Sequence, residues 1–208
     1  SSFIITTDVP LIFFSSLFIF IFLLIYKKKT PSSVYFIFLG LVFSLGFLSK
    51  YAMSYNLISI IILLFYSEEI RKKFLNYKLI IFAFTCLISI LPHLIWNYNN
   101  GFVTFNHTAD NANLQRLNLN FKELSFFIMS QFIVFGAYPF FHLISNAVVT
   151  KKLNQEKVIL YTFFLIPLII VSSIALFSRA NANWAVVGYP FGCILLALLL
   201  GKKDFFIK

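Results

Sequence analysis

Apolar positions along this chain come in long blocks separated by short polar ones. The first block, Val9 to Tyr26, holds eighteen residues without a charge. Further apolar stretches lie near 34–49, 53–66, 79–96, 124–149, 158–178 and 184–201. A hydrocarbon core of about 30 Å needs a helix of about 20 apolar residues. Repeated blocks of this kind imply helices that cross a bilayer, because a helix satisfies its own backbone there. The second and third blocks could form one helix, Val34 to Tyr66, but at about 1.5 Å per residue it would run to about 50 Å. A break at "SKYAMSYN", Ser49 to Asn56, divides it into two short spans instead, the third being short enough to tilt or re-enter.

The break also sorts the charges. With it, Lys27, Lys28, Lys29, Arg71, Lys72, Lys73, Lys78, Lys151, Lys152, Lys157, Lys202, Lys203 and Lys208 fall on one side. Only Lys50, Arg116, Lys122 and Arg179 fall on the other. Cytoplasmic loops carry the excess of Lys and Arg, so the first group is cytoplasmic and the amino terminus outside. The expected fold is all-α: a polytopic integral membrane protein of about seven spans with short periplasmic helical segments, one membrane domain over 1–208.

Composition agrees with this class. The chain is 60% hydrophobic and 12% charged, and a soluble domain carries about 25% charged residues. The net charge of +10 resides in clusters between apolar runs rather than on one basic face, which argues against nucleic acid and for membrane lipids as neighbours. Cys86 and Cys193 both fall within apolar runs and read as buried, inert thiols. The chain opens Ser1-Ser2 without methionine or a basic leader, which reads as a piece of something longer. No Walker loop, dinucleotide fingerprint, nucleophile elbow or internal repeat is present, and no cofactor is implied. His93 and His142 sit within spans, so the outer side offers no ligand cluster at metal spacing.

The outer side collects the unusual residues: Asp8, Lys50, the segment Asn97 to Glu123, and "RANANW" from Arg179 to Trp184. More than 20 residues between spans exceeds what a plain connection needs, so Asn97 to Glu123 is a lid, a binding loop or a solvated surface. Asp8 reads either as a helix-start residue beside Thr6, Thr7 and Pro10 or as that together with a site role. Arg179 has a forked guanidinium suited to phosphate and equally reads as a snorkelling interface residue. His107 and Asp110, in "NHTAD", form a possible sugar-contact pair or acid/base relay. "NHT" also fits a glycosylation acceptor, a triplet common by chance.

Four outer stretches carry a resemblance by their order and spacing: "TTDVPLIFF", "GLVFSLGFLSKYA", "LPHLIWNYNNGFVTFNHTAD" and "NANWAVVGYP". Together they resemble the polytopic glycosyltransferases related to dolichyl-phosphate-mannose–protein mannosyltransferases, the superfamily of the lipid A aminoarabinose transferases. The resemblance spans roughly residues 5 to 190. It implies an enzyme of GT-C type that moves a sugar from a polyprenyl-phosphate carrier to a lipid, glycan or protein acceptor. The site would face the periplasm from a bacterial inner membrane. It implies an acidic residue at the Asp8 position facing a lysine at the Lys50 position, with Tyr51 beside it. It also implies a matched Asn183–Trp184 pair, although Trp184 equally reads as an aromatic-belt anchor. Lys50 and Arg179 would help the departing phosphate, on which negative charge grows. The family's principal catalytic carboxylate lies in a first outer loop that would precede residue 1. The expectation is therefore an amino-terminally truncated chain, with Asp8, engaged by Lys50, a poor substitute for that carboxylate. A transporter or flippase, and a remnant that inserts without chemistry, are the alternatives. A transporter would place ionisable residues at the midplane, where His93 and His142 are the nearest candidates.

Overall fold

The computed structural model describes residues 6–113, 118–149 and 153–201. Arg116, Lys151, Lys152, Lys202, Lys203 and Lys208 from the charge count lie outside the described residues. Every described element is helical: α1 (Asp8–Lys27), α2 (Ser33–Ser49), α3 (Tyr55–Tyr66), α4 (Glu68–Phe74), α5 (Tyr77–Asn99), α6 (Val103–Asn111), α7 (Phe121–Gln131), α8 (Ala137–Val149), α9 (Gln155–Phe177) and α10 (Tyr189–Leu200). Two 3-10 segments, Tyr51–Ser54 and Ala182–Gly188, lead into α3 and α10. The protein is an all-α polytopic membrane protein.

The number of spans needs correction. Five helical stretches are long and apolar enough to cross: Asp8–Lys27, Tyr77–Asn99, Phe121–Val149, Gln155–Phe177 and Ala182–Leu200. A sixth exists if Tyr51–Tyr66 and Glu68–Phe74 count as one span, and these are bent by 116°. The expected second span, α2, is 17 residues long, about 25 Å of helix, and α3 alone is 12 residues, about 18 Å. Apolarity marked seven segments correctly as helices, but two of them are shorter than a bilayer core. The break foreseen at Ser49 to Asn56 is present as the extended Lys50 (φ −161°, ψ 133°) and the 3-10 turn after it.

Polar residues set the helix ends. Ser67, Asn76, Asn120 and Asn154 each accept a hydrogen bond from a backbone N–H in the first turn of the helix that follows. Thr7 precedes α1 with no side-chain cap bond, so the capping expected at Thr6 to Asp8 is not what occupies the Asp8 carboxylate. Pro139 lacks an N–H, and its ring crowds the carbonyl four residues earlier. The chain answers with a π-helical turn at Phe132–Gly136, where Gly136 takes φ 103°.

The interior is built on α9, whose span is 50% buried, against 6% for α5 and 11% for α7–α8. Phe163 of α9 stacks on Phe191 of α10 at 4.9 Å and meets Phe22 of α1 edge-on at 5.2 Å. Ser15 of α1 donates to the Val187 carbonyl at 2.8 Å, fastening the Ala182–Gly188 segment to the first helix. In lipid the apolar effect does not pull helices together, so close approach must come from shape. Gly40 of α2 supplies it: a Cβ there would lie 2.9 Å from Thr85 Cβ and 3.0 Å from the Phe82 carbonyl oxygen of α5. Gly188 and Gly192 meet the Phe164 carbonyl oxygen and ring of α9 in the same way. Both cysteines are free, and Cys193 is exposed on α10 rather than buried as expected.

The bundle has two unlike ends. At one, Lys73 donates to the Tyr26 carbonyl and its ammonium lies 4.7 Å from the Tyr26 ring centre. Lys78 donates to the Pro31 carbonyl at 2.6 Å, and Lys27 meets Glu156 at 3.4 Å. At the other end α1 begins and α2 finishes, with Asp8 against Lys50. Reporters fused at residues 28–30 and 75–76 should read the same compartment, and one at 100–101 the opposite one. Gly40→Leu should cost about 1–3 kcal/mol through overpacking of α2 against α5, seen as a lower thermal midpoint in detergent.

Candidate functional site at the Asp8 end

The arrangement begins with helix polarity. α1 starts at Asp8 and α2 stops at Lys50, so an antiparallel pair brings the positive end of one helix dipole beside the negative end of the other. The carboxylate lies at the first and the ammonium at the second, each on its favourable side. Lys50 Nζ donates to Asp8 Oδ1 at 2.5 Å, and the two side chains are 22% and 18% exposed. Asn183 Nδ2 donates to Asp8 Oδ2 at 2.6 Å. Both carboxylate oxygens are therefore occupied, one by a cation and one by a neutral amide. The sequence contact expected between Asp8 and Lys50 is present, and Asn183 joins it.

Lys50 lies on the wall of a cleft of about 880 Å³. Its apolar lining includes Phe47, Leu48, Val103, Ile174 and Trp184, and its polar lining includes Tyr51, His93, Thr104 and His107. An ammonium has three donors, and Asp8 takes one of them. The cleft thus offers a cationic point at its edge and apolar surface along its sides.

Helix α6 forms one wall. It follows a turn in which Gly101 and Phe102 both take left-handed backbone, φ 65° and 56°. Glycine adopts this without cost, whereas Phe102 does so because its N–H reaches back to the Asn97 carbonyl at 2.7 Å. None of the α6 residues is buried. The helix is held at its ends: Thr104 bonds Tyr51 and Asn97, while Ser178 Oγ donates to the Ala112 carbonyl at 2.5 Å. Asn118 and Asn120 donate through their backbone to Phe177 and Leu176, so the described part of the long outer loop is tied to the end of α9.

The expected site residues divide into two groups. Lys50, Tyr51 and His107 line the cleft, and Asp8 and Asn183 adjoin it through Lys50. Arg179 and Asp110 are not on its lining. Arg179 is exposed, and its Nε donates to the Asn111 carbonyl at 2.8 Å, bracing the end of α6. Asp110 is exposed on α6, and His107 shares a 3.0 Å hydrogen bond with Asn111. Trp184, read from the sequence as a belt anchor, lines the cleft as well.

Three residues of the cleft region escaped the reading of the sequence. His93 was placed inside a span, yet its Nε2 lies 2.7 Å from the Tyr51 hydroxyl. That hydroxyl is 2.5 Å from Thr104 Oγ1, which donates at 2.5 Å to Oδ1 of fully buried Asn97. The usable signal was a His and an Asn four apart near the end of an apolar helix, hence on one face, followed by a glycine turn and a Thr.

The fold and this cleft define a class, a polytopic helical membrane protein with a polar site at one end of the bundle. Residues 1–96 match the family model described as dolichyl-phosphate-mannose-protein mannosyltransferase. The chain is also 28% identical, over 208 residues and 98% of its length, to the lipid A galacturonosyltransferase RgtD of Rhizobium johnstonii (strain DSM 114642 / LMG 32736 / 3841). It spans 42% of the length of that relative. No solved structure matches it. The chain is thus similar to membrane glycosyltransferases over part of their length, in line with the resemblance of its four outer stretches.

Breaking the ion pair should be costly because each partner is four-fifths buried. Asp8→Asn and Lys50→Met should each lower stability by about 1–3 kcal/mol, below the full cost of stranding a deeply buried charge. The double variant should lose less than the sum, a coupling of about 1 kcal/mol or more in a thermal double-mutant cycle. Additive losses would mean that the two charges do not interact.

Proposed function

We propose that this chain forms part of a glycosyltransferase that takes a sugar from a polyprenyl-phosphate carrier, with the cleft receiving the phosphate–sugar end. The observation that carries the reading is Lys50, a partly buried cation at the edge of a cleft with apolar walls. A polyprenyl phosphate has matching parts: an anionic head, a polar sugar and an apolar tail. Asp8 and Asn183 hold the ammonium in place, and its remaining N–H donors face the leaving phosphate. Charge-assisted hydrogen bonds strengthen as negative charge develops there. His107 reaches the cleft from α6 and would contact the sugar. Arg179 acts indirectly, by bracing α6, and Asp110 contributes to the outer surface of that helix rather than to the cleft.

The reading includes one membrane domain over 1–208 and a lipid or glycan acceptor. The lysine-rich end faces the cytoplasm by the charge rule. The cleft then opens on the periplasmic side of a bacterial inner membrane, and lipid A in the relative's name is consistent with a lipid acceptor.

The test is binding of farnesyl phosphate to the purified chain in nanodiscs, followed by calorimetry. Lys50→Ala should weaken binding about 10- to 100-fold, the effect of losing charge-assisted hydrogen bonds of about 1.5–3 kcal/mol. Equal binding by wild type and Lys50→Ala would sink the phosphate assignment. In the protein that carries this chain, the same substitution should depress sugar transfer by at least a similar factor.

A further inference from the structure

The hydrogen bonds around His93 have a direction that follows from counting protons. Asn97 fixes it. Its Oδ1 accepts from the Thr104 backbone N–H at 3.3 Å, and its Nδ2 donates to the His93 carbonyl at 3.1 Å. These two backbone contacts determine which end of the amide is oxygen and which is nitrogen. Thr104 Oγ1 must then give its single proton to Asn97 Oδ1, at 2.5 Å. A hydroxyl whose proton is spent is an acceptor toward its other neighbour. So the Tyr51 hydroxyl, 2.5 Å away, donates to Thr104. With its own proton spent, Tyr51 faces His93 Nε2 at 2.7 Å as an acceptor. His93 must therefore carry a proton on Nε2. In the neutral ring, Nδ1 is then the nitrogen with the bare lone pair.

Asn97 Nδ2 also lies 3.0 Å from Nε2 and 3.5 Å from Nδ1 of the same ring. The in-plane lone pairs of the two nitrogens diverge, so one amide nitrogen near both approaches the ring face and aligns with neither. At 3.5 Å the contact to Nδ1 is long for a hydrogen bond, and a better donor displaces it.

We propose that Tyr51, Thr104 and Asn97 act as a directed chain that holds His93 as its Nε2–H tautomer. In that state His93 Nδ1 accepts a hydrogen bond from a hydroxyl of the sugar in the cleft. His93 is the contact residue and the other three are positioning residues. The assignment of a sugar rests on the reading of the cleft given above; the tautomer does not. Tyr51 is placed for this by stacking on Phe105 of α6, with centres 5.0 Å apart and planes 7° apart, so the chain spans α5, α6 and the 3-10 turn. His93, Tyr51 and Thr104 all line the cleft, whereas Asn97 is sealed behind them.

The experiment is solid-state 15N NMR of the chain labelled at histidine and reconstituted in lipid at alkaline pH, where imidazole is neutral. The other two histidines are assigned by His107→Gln and His142→Asn. His93 should show a protonated Nε2 and an unprotonated Nδ1; the reverse tautomer overturns the proposal. Thr104→Val leaves Tyr51 free to donate to His93, so the ratio of Nε2–H to Nδ1–H tautomers should fall about tenfold, the weight of one neutral hydrogen bond. Thr104 is on an exposed helix, so this variant tests the chain without removing buried Asn97. An unchanged ratio counts against the directed chain.

Ligand is then added: farnesyl phosphate, or farnesyl-phosphoryl glucose, galactose or mannose, with binding followed separately by calorimetry. The proposal expects a sugar conjugate to bind and move the Nδ1 signal while farnesyl phosphate leaves it in place. A bound conjugate that leaves Nδ1 unmoved overturns the sugar contact but not the carrier reading. Equal movement with farnesyl phosphate also overturns it, in favour of a phosphate contact. Absence of any binding overturns the carrier reading, and the sugar contact with it.

Discussion

A bilayer core supplies no hydrogen-bond partner to the peptide backbone, and the architecture of this chain follows from that constraint. Within the long spans the chain stays helical, and where Pro139 removes a donor it changes the helical bond register rather than leaving the helix. The left-handed and tightly wound pieces lie between the long spans or, at Ala182–Gly188, form the first turns of one. The Tyr51–Ser54 turn, the left-handed pair at Gly101 and Phe102, and the Ala182–Gly188 segment all gather near the Asp8 end. Irregular backbone needs polar side chains or water, and this end supplies both a polar cluster and a cleft. The cleft is thus a consequence of where the helices are allowed to stop.

The two ends treat charge differently. At the lysine-rich end, cations are satisfied by carbonyls, a tyrosine ring and Glu69 or Glu156, with Lys73 and Lys78 part-buried and Lys27 exposed. At the cleft end a single lysine is held by a carboxylate in a partly buried place. Desolvating Lys50 alone would be unfavourable, and Asp8 offsets that cost while the Asn183 amide occupies its second oxygen. An anion arriving at Lys50 also meets the charge of Asp8. On the proposed reading, the site favours a ligand whose apolar and hydroxyl contacts add to that of its phosphate. Apolar walls and the His93–Tyr51–Thr104 edge are placed to provide such contacts.

Much of this was legible in residue order. Blocks of apolar residues gave the class, because only helices can carry such blocks through lipid. Lysine clusters gave the two ends, and they implied the break near Lys50 that the extended residue there produces. Asp8, Lys50 and Asn183 emerged from the order of four outer stretches, although nothing local says that they touch. Helix length was less legible: apolarity continues through α2 and α3, but hydropathy does not tell how much of each block a turn consumes.

Tertiary structure alone decided the cleft and its polar edge. The sequence by itself determined an all-helical membrane chain, its polarity along the bundle and the charged residues held back at one end, since those depend on transfer into lipid and on local order. It did not determine that Arg179 braces α6 instead of facing the cleft, or that Asp110 lies outside it. Nor did it show that His93, within the apolar helix α5, bonds Tyr51, or that buried Asn97 sets the direction of that bond. Those outcomes depend on where α6 folds back after Gly101 and on which side chains meet across three elements. Hydrogen-bond direction is a property of the closed network, and no single stretch of chain contains it.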